Sequence, residues 1–202
     1  GYANTLATSS ASQTSMSIYI DVSNGVNFNG VSSVTSADIL AVNGVIHKVD
    51  AVIGLPSVVT FATADPNFST LVSALTRNDL TTDFISILST TTGTSPAPFS
   101  VFAPINDAFN RLLTELNLTS LSEIDEPTLD IVLKFHVVGG ANVLDSSLTD
   151  NLTVSTLGGD ITANVTGGAT LTDANGRVAD IIATNVQANN GIIHAINKVI
   201  LP

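Results

Sequence analysis

An internal repeat constrains this chain more than any other feature. Asn43 to Pro56 reads NGVIHKVDAVIGLP, and Asn190 to Pro202 reads NGIIHAINKVILP. With Gly54 counted as an insertion, the Asn, Gly, Ile, His, Val, Ile, Leu and Pro positions are identical. Each copy follows a run of Ser, Thr, Asn and β-branched residues that opens on Thr-Leu, at Thr5-Leu6 and at Thr156-Leu157. Such self-similarity marks one structural unit written twice. Residues 1–56 therefore read as the C-terminal half of a unit whose complete version spans 57–202. A half-unit leaves bare the core face that its missing half covers, and a bare apolar face is a surface for binding or association. Either polypeptide outside residues 1–202 supplies that half, or a neighbouring molecule does.

Composition narrows the function classes. Hydrophobic residues make up 44% of the 202 positions and charged residues 11%, the balance of a globular chain and not of a disordered one. Six Lys and Arg stand against 17 Asp and Glu, a formal charge of −11. Phosphate recognition needs clustered cations, so nucleic acid and anionic membrane surfaces are disfavoured as partners. An acidic surface suits solubility outside the cell. With no cysteine, disulfides and thiolate metal sites are excluded. The residues contain no basic segment leading into an apolar stretch of the signal-peptide kind, and no run of about 18 apolar residues that would span a membrane.

Periodicity sorts the complete unit into helices followed by strands. Asp65-Pro66 signals a first helix, a capping residue before proline, with Phe68, Leu71, Val72 and Leu75 forming one apolar stripe. A short helix over about Thr82 to Ser89 points Phe84, Ile85 and Leu88 inward, and the Thr-, Ser-, Gly- and Pro-rich loop Thr90 to Pro98 ends it. Phe99 to Pro104 is too short and too apolar for a helix and predicts a buried strand. Asn106 is expected to cap a helix with Asp107 in its first turn and with Phe109, Leu112, Leu113 and Leu116 buried. A further helix begins at Glu126-Pro127, buries Leu129, Val132 and Leu133, and runs into a strand-like Phe135 to Val138. Turn signals at Gly158-Gly159, Gly167-Gly168 and Asn175-Gly176 then join short antiparallel strands. Helices first and a mostly antiparallel sheet afterwards make an α+β domain.

Three segments in order, FSVFAPINDAF (Phe99 to Phe109), LKFHVV (Leu133 to Val138) and NGIIHAINKVILP (Asn190 to Pro202), closely resemble the fasciclin-type domain, also called the FAS1 or β-Ig-h3 domain. DPNFSTLVSALTRNDL, from Asp65, is similar to the opening of such domains. The resemblance covers residues 57–202, and residues 1–56 resemble the tail of another copy. It implies a wedge-shaped β-sandwich with packed helices and a non-enzymatic adhesion module, secreted or at the cell surface and often in tandem. Asn106, Asp107, Phe135 and His136 are the motif residues it singles out. The family's usual Thr-Asn stands here as Ile105-Asn106, and its usual Tyr-His as Phe135-His136, which keeps the ring and loses the hydroxyl. In animal members an Asp-Ile pair in integrin-binding segments precedes the last box; it stands here as Asp38-Ile39, but as Asn185-Val186 in the complete unit. No RGD tripeptide occurs. The cysteine-free, Thr-rich texture resembles that of the family's bacterial members.

No constellation of catalytic or metal-binding residues is legible. His47 and His194 are one repeat position, and His194 shares an apolar face with Ile192, Ile196 and Ile200, which predicts a packed imidazole bonded to backbone. His136, beside Val137-Val138, is expected to pin the Asn106-Asp107 cap region. There is no nucleophile elbow and no His and Cys cluster for zinc. Asp173-Ala174-Asn175-Gly176 lacks the later glutamate of a calcium loop and reads as a turn. Sequons stand at Asn67, Asn117, Asn151 and Asn164 and would matter only on a eukaryotic secretory route. No cofactor is expected. The partners expected are an extracellular protein or polysaccharide, or the protein itself. The alternative is a spacer or structural subunit of a surface assembly, its half-unit completed by another chain.

Overall fold

The computed structural model describes residues 1–202. Five antiparallel strands come first: β1 (Tyr2–Thr8), β2 (Ser15–Asp21), β3 (Asn27–Phe28), β4 (Ser32–Ala41) and β5 (Gly44–Val49), hydrogen-bonded in chain order. Helices α1 (Val58–Ala64), α2 (Ser69–Leu75) and α3 (Phe84–Leu88) follow, then strand β6 (Phe99–Pro104) and helices α4 (Asn106–Leu116) and α5 (Glu126–Lys134). The chain ends in β7 (Val137–Gly139), β8 (Leu152–Ser155), β9 (Asp160–Asn164), β10 (Thr170–Thr172), β11 (Val178–Gln187) and β12 (Gly191–Ile196). The second sheet runs β7-β6-β12-β11-β10-β9-β8. All its pairings are antiparallel except β12 with β6, which is parallel. Two sheets with helices packed on them form the expected α+β arrangement.

Every residue of β6 and β12 is buried, as expected of neighbouring parallel strands covered on both faces. Alternation along β6 divides them between two cores. Phe99, Val101 and Ala103 face α1 to α5, together with Phe61, Phe84, Phe109 and Leu129. Phe102 faces a smaller core with Phe135, Ile161, Leu171 and Ile196. Each of these Phe, Val, Leu and Ile side chains contributes about 1.5–3 kcal/mol by leaving water.

The helix boundaries differ from expectation in instructive ways. The first helix begins eight residues before Pro66, because Ser57 accepts from Thr60 N–H while the Thr60 hydroxyl accepts from Ser57 N–H, a reciprocal cap made with Thr in place of Glu or Gln. Asp65 caps only the 3-10 turn Pro66–Phe68. Asn106 does not cap α4: the cap position is Ile105, without a side-chain bond, and Asn106 is the first helical residue. Leu112 and Phe109 are buried as expected, but Leu113 is half-buried and Leu116 lies exposed at the helix end. Phe135 and His136 are not strand; Phe135 is the C-cap of α5 and β7 starts at Val137.

Candidate functional site

His136 and His194 are locked inside the protein. His136 Nδ1 donates to Val132 O at 2.7 Å, and Ile200 N–H donates to Nε2 at 3.0 Å. That second bond needs a bare Nε2, so the neutral Nδ1–H tautomer is fixed. Burial lowers the imidazole to about 4, against a weak opposing pull from the Val132 carbonyl. The expected tie to Asn106-Asp107 is absent; His136 instead joins the last turn of α5 to the C-terminal segment. His194 stacks on Phe102 with ring centroids 5.6 Å apart and donates from Nε2 to Val143 O at 2.8 Å, the packed, backbone-bonded imidazole expected. Burial lowers this group too, with the Asp145 carboxylate pulling the other way.

The remaining motif residues lie in separate places. Asn106 donates to Pro66 O and accepts from Thr70 N–H, both at 2.9 Å, so it splices the start of α4 to the start of α2. Asp107 is exposed beside it. Phe135 fills the space under the Gly158-Gly159 turn, where an added Cβ would come within 2.5 and 2.8 Å of its ring; glycine at those positions is a packing requirement. Asp38 sits at φ 59° in β4, donating from its backbone to His47 Nδ1 at 3.3 Å, and Ile39 is exposed. The structure gathers Phe135 with His136 in the core and does not bring Asn106-Asp107 or Asp38-Ile39 to them.

What stands out on the surface is the hairpin β4–β5. It repeats the hairpin β11–β12 pair for pair: Val34 with Val49, Ser36 with Lys48, Ile39 with Ile46 and Leu40 with Val45 correspond to Ile181 with Ile196, Ala183 with Ala195, Val186 with Ile193 and Gln187 with Ile192. Even the irregularity is shared, with Asp38 and Asn185 at φ 59° and 56° at the same point of the register slip. Burial separates them. Ile193 is 1% exposed and Ile46 is 56% exposed. Leu40, Val42, Val45 and Val52 of the first copy are also open to solvent, whereas Met16, Tyr19 and Pro56 are the buried apolar side chains of the first 56 residues.

A polar joint that sequence reasoning missed holds the first sheet to the rest. Gln187 is 1% exposed. Its Nε2 donates to Ala188 O at 2.8 Å and Gly191 O at 2.9 Å, and its Oε1 accepts from Ser12 Oγ at 3.0 Å and Asn142 Nδ2 at 3.1 Å. Its backbone N–H donates to Ser17 Oγ at 3.0 Å. Leu40 holds the same repeat position in the first copy, so the one available signal was a polar residue replacing an apolar one between copies. Nearby, Tyr2 packs on Tyr19 and Phe61 with centroids 5.0 and 5.5 Å away, its phenol pushed up by burial and then by the Asp65 carboxylate.

Comparison with known proteins agrees with this geometry. The family model of the Fasciclin domain matches residues 2–56 and 66–202. An uncharacterized protein of Synechocystis sp. is 35% identical over 151 residues, covering 73% of this chain and 98% of that protein. A fasciclin-like arabinogalactan protein of Arthroderma benhamiae is 26% identical over 178 residues, 88% of this chain and 38% of its own. Among solved structures, a FAS1 domain pair from the insect cell adhesion molecule Fasciclin I superposes with a TM-score of 0.60 at 18% identity, covering 93% of this chain and 68% of that one.

Proposed function

The chain belongs to the Fasciclin domain family, and on that premise we propose that it is a non-enzymatic extracellular adhesion or cell-surface matrix module acting through protein or glycan contacts. The observation that carries this reading is where its two kinds of reactive surface lie. Both imidazoles of residues 57–202 are buried, His136 bonded to backbone through both ring nitrogens and His194 through Nε2, while a run of aliphatic side chains faces solvent on β4–β5. Exposed apolar surface of that kind serves association. No helix is long and apolar enough to cross a membrane. A bacterial surface setting belongs to the same proposal and draws support from the Synechocystis relative. The test is binding of the purified protein to cells and to a panel of polysaccharides. Saturable binding to at least one is expected; none across the panel overturns the reading.

A second reading is favoured by the bare hairpin itself. Residues 1–56 are the C-terminal half of a preceding unit and 57–202 are a complete one, so that the protein serves as a spacer or subunit of a surface assembly. What supports it is the pair-for-pair correspondence of β4–β5 with β11–β12. Light scattering and electron microscopy that find only isolated monomers in the mature surface material would remove the assembly.

A further inference from the structure

One edge of β5 is paired with β4 and the other is open. On β12 the equivalent edge is filled by β6 in parallel register, Gly191 opposite Phe99 through to Ile196 opposite Pro104. Three features of the repeat answer to that neighbour. The first is glycine. A Cβ on Gly191 would stand 2.4 Å from Phe99 O and 2.9 Å from Phe99 N, so the approach of β6 demands the missing side chain. Gly44 occupies the same place in the first copy, and nothing lies within 4 Å of where its Cβ would be. The second is asparagine. Asn190 accepts from Val58 N–H at 3.0 Å and donates to Leu88 O at 2.8 Å and Thr90 O at 3.0 Å, stitching the strand to α1 and to the end of α3. Asn43 is exposed and makes none of these bonds. The third is the apolar face: Ile193 is covered by the helices, and Ile46 is bare.

Nothing in the present fold of β5 requires Gly44, Asn43 or a row of aliphatics; each is the counterpart of a contact that β12 makes with the helix-and-strand half of its unit. An open strand edge offers a ready template of unpaired N–H and C=O groups. Charge agrees. Ala41 to His47 carry no Asp, Glu, Lys or Arg, and neither do Phe99 to Asn106, so a strand of that kind meets this edge without repulsion in a protein of net charge −11.

We propose that the open edge of β5 receives a parallel, uncharged strand built like Phe99–Pro104, its first residue opposite Gly44, carried with its helices by polypeptide that precedes Gly1. This rests on the reading of residues 1–56 as the C-terminal half of a preceding unit, and it specifies the edge, the direction and the register.

The probe is a peptide with the sequence of residues 98–106 and a lysine tail for solubility, titrated into the 202-residue protein. Expected are saturable one-to-one binding over a scrambled peptide, protection of β5 amides from hydrogen exchange, and at least tenfold weaker binding to Gly44→Val. That variant keeps its fold, since the position is unobstructed; an unchanged melting temperature checks this. No binding, or equal binding to the variant, overturns the strand and its register. An intact mass and hydrogen exchange of the mature protein form the second arm. A mature chain extending ahead of Gly1 with protected β5 amides supports the source. A chain starting at Gly1 with open β5 amides overturns both the source and the half-unit reading. Protected amides in the longer chain without peptide binding overturn the register and leave the half-unit reading standing. A dimer of the 202-residue protein that Gly44→Val dissociates makes the occupant a second copy and overturns the source. The adhesion reading is judged apart from all of these, by the cell and polysaccharide panel.

Discussion

The hairpins β4–β5 and β11–β12 share their register, their slip and their left-handed residue, yet one is bathed in solvent and the other is the centre of a sheet. Local pattern and turn chemistry are enough to set strand pairing, since the same β-branched alternation yields the same ladder in both settings. They do not set the energetics. A residue's worth comes from what is packed on it, and here one motif is seen with and without that packing.

The contrast is sharpest at glycine. Gly191→Val forces a side chain into the Phe99 backbone and is expected to cost about 4 kcal/mol or more, or to prevent folding, whereas Gly44→Val stays within about 0.5 kcal/mol; urea unfolding of both variants measures the difference. Comparable costs at the two sites would mean that β5 is covered after all. Next in size, Ile193→Ala removes a buried side chain from the larger core and should lose about 3 kcal/mol, against about 0.5 kcal/mol for Ile46→Ala by the same measurement.

Acid acts on the buried histidines. His136 is held neutral with its imidazole lowered to about 4, and His194 is lowered in the same direction. Between pH 6.5 and 4 the unfolded chain therefore binds protons that the folded chain refuses. Stability is fully present above 6.5 and falls as pH drops toward 4, by roughly 3 kcal/mol for His136 alone. The carboxylates lowered by hydrogen bonds, Asp145 and Asp150 among them, give up their contribution only at lower pH. Urea midpoints measured across this range should show the slope. Among the buried positions the smallest effect expected is at Gln187. Gln187→Leu, which installs the residue of the first copy, removes the side-chain donor to the Ala188 carbonyl and the acceptor of Ser12 and Asn142, and should cost about 2 kcal/mol, read as a lower melting temperature.

Much of the fold was legible in residues. The repeat gave both hairpins, the paired glycines gave the turns, and the apolar stripe of Leu129, Val132 and Leu133 gave the buried face of α5. The failures share a cause. Asn106 looks like a cap because Asn favours that place, but its amide is spent on Pro66 and Thr70, thirty-six to forty residues back, a partner no local pattern announces. Helix α1 hides because Val58, Val59 and Thr60 favour strands; it forms because Val58 and Phe61 are buried and Ser57 with Thr60 closes its first turn. His136 was legible as a structural residue, but its two partners, Val132 and Ile200, lie four residues before and sixty-four after, and only the nearer could have been guessed. The bare face of β4–β5 was legible as an expectation from the repeat alone, while the Gln187 joint was not, because a lone polar residue at an apolar repeat position carries no sign of its partners.

The position of β12 between β6 and β11 has a consequence for synthesis. The strand that joins the early-made β6 to the later meander is the last of its sheet to be synthesised. Until it is made, β6 has an unfilled side and α1 to α5 have an incomplete floor, so the unit cannot close progressively from its beginning. Its completion is a single late event, and a nascent chain halted before Gly191 would have its helices and no finished interior.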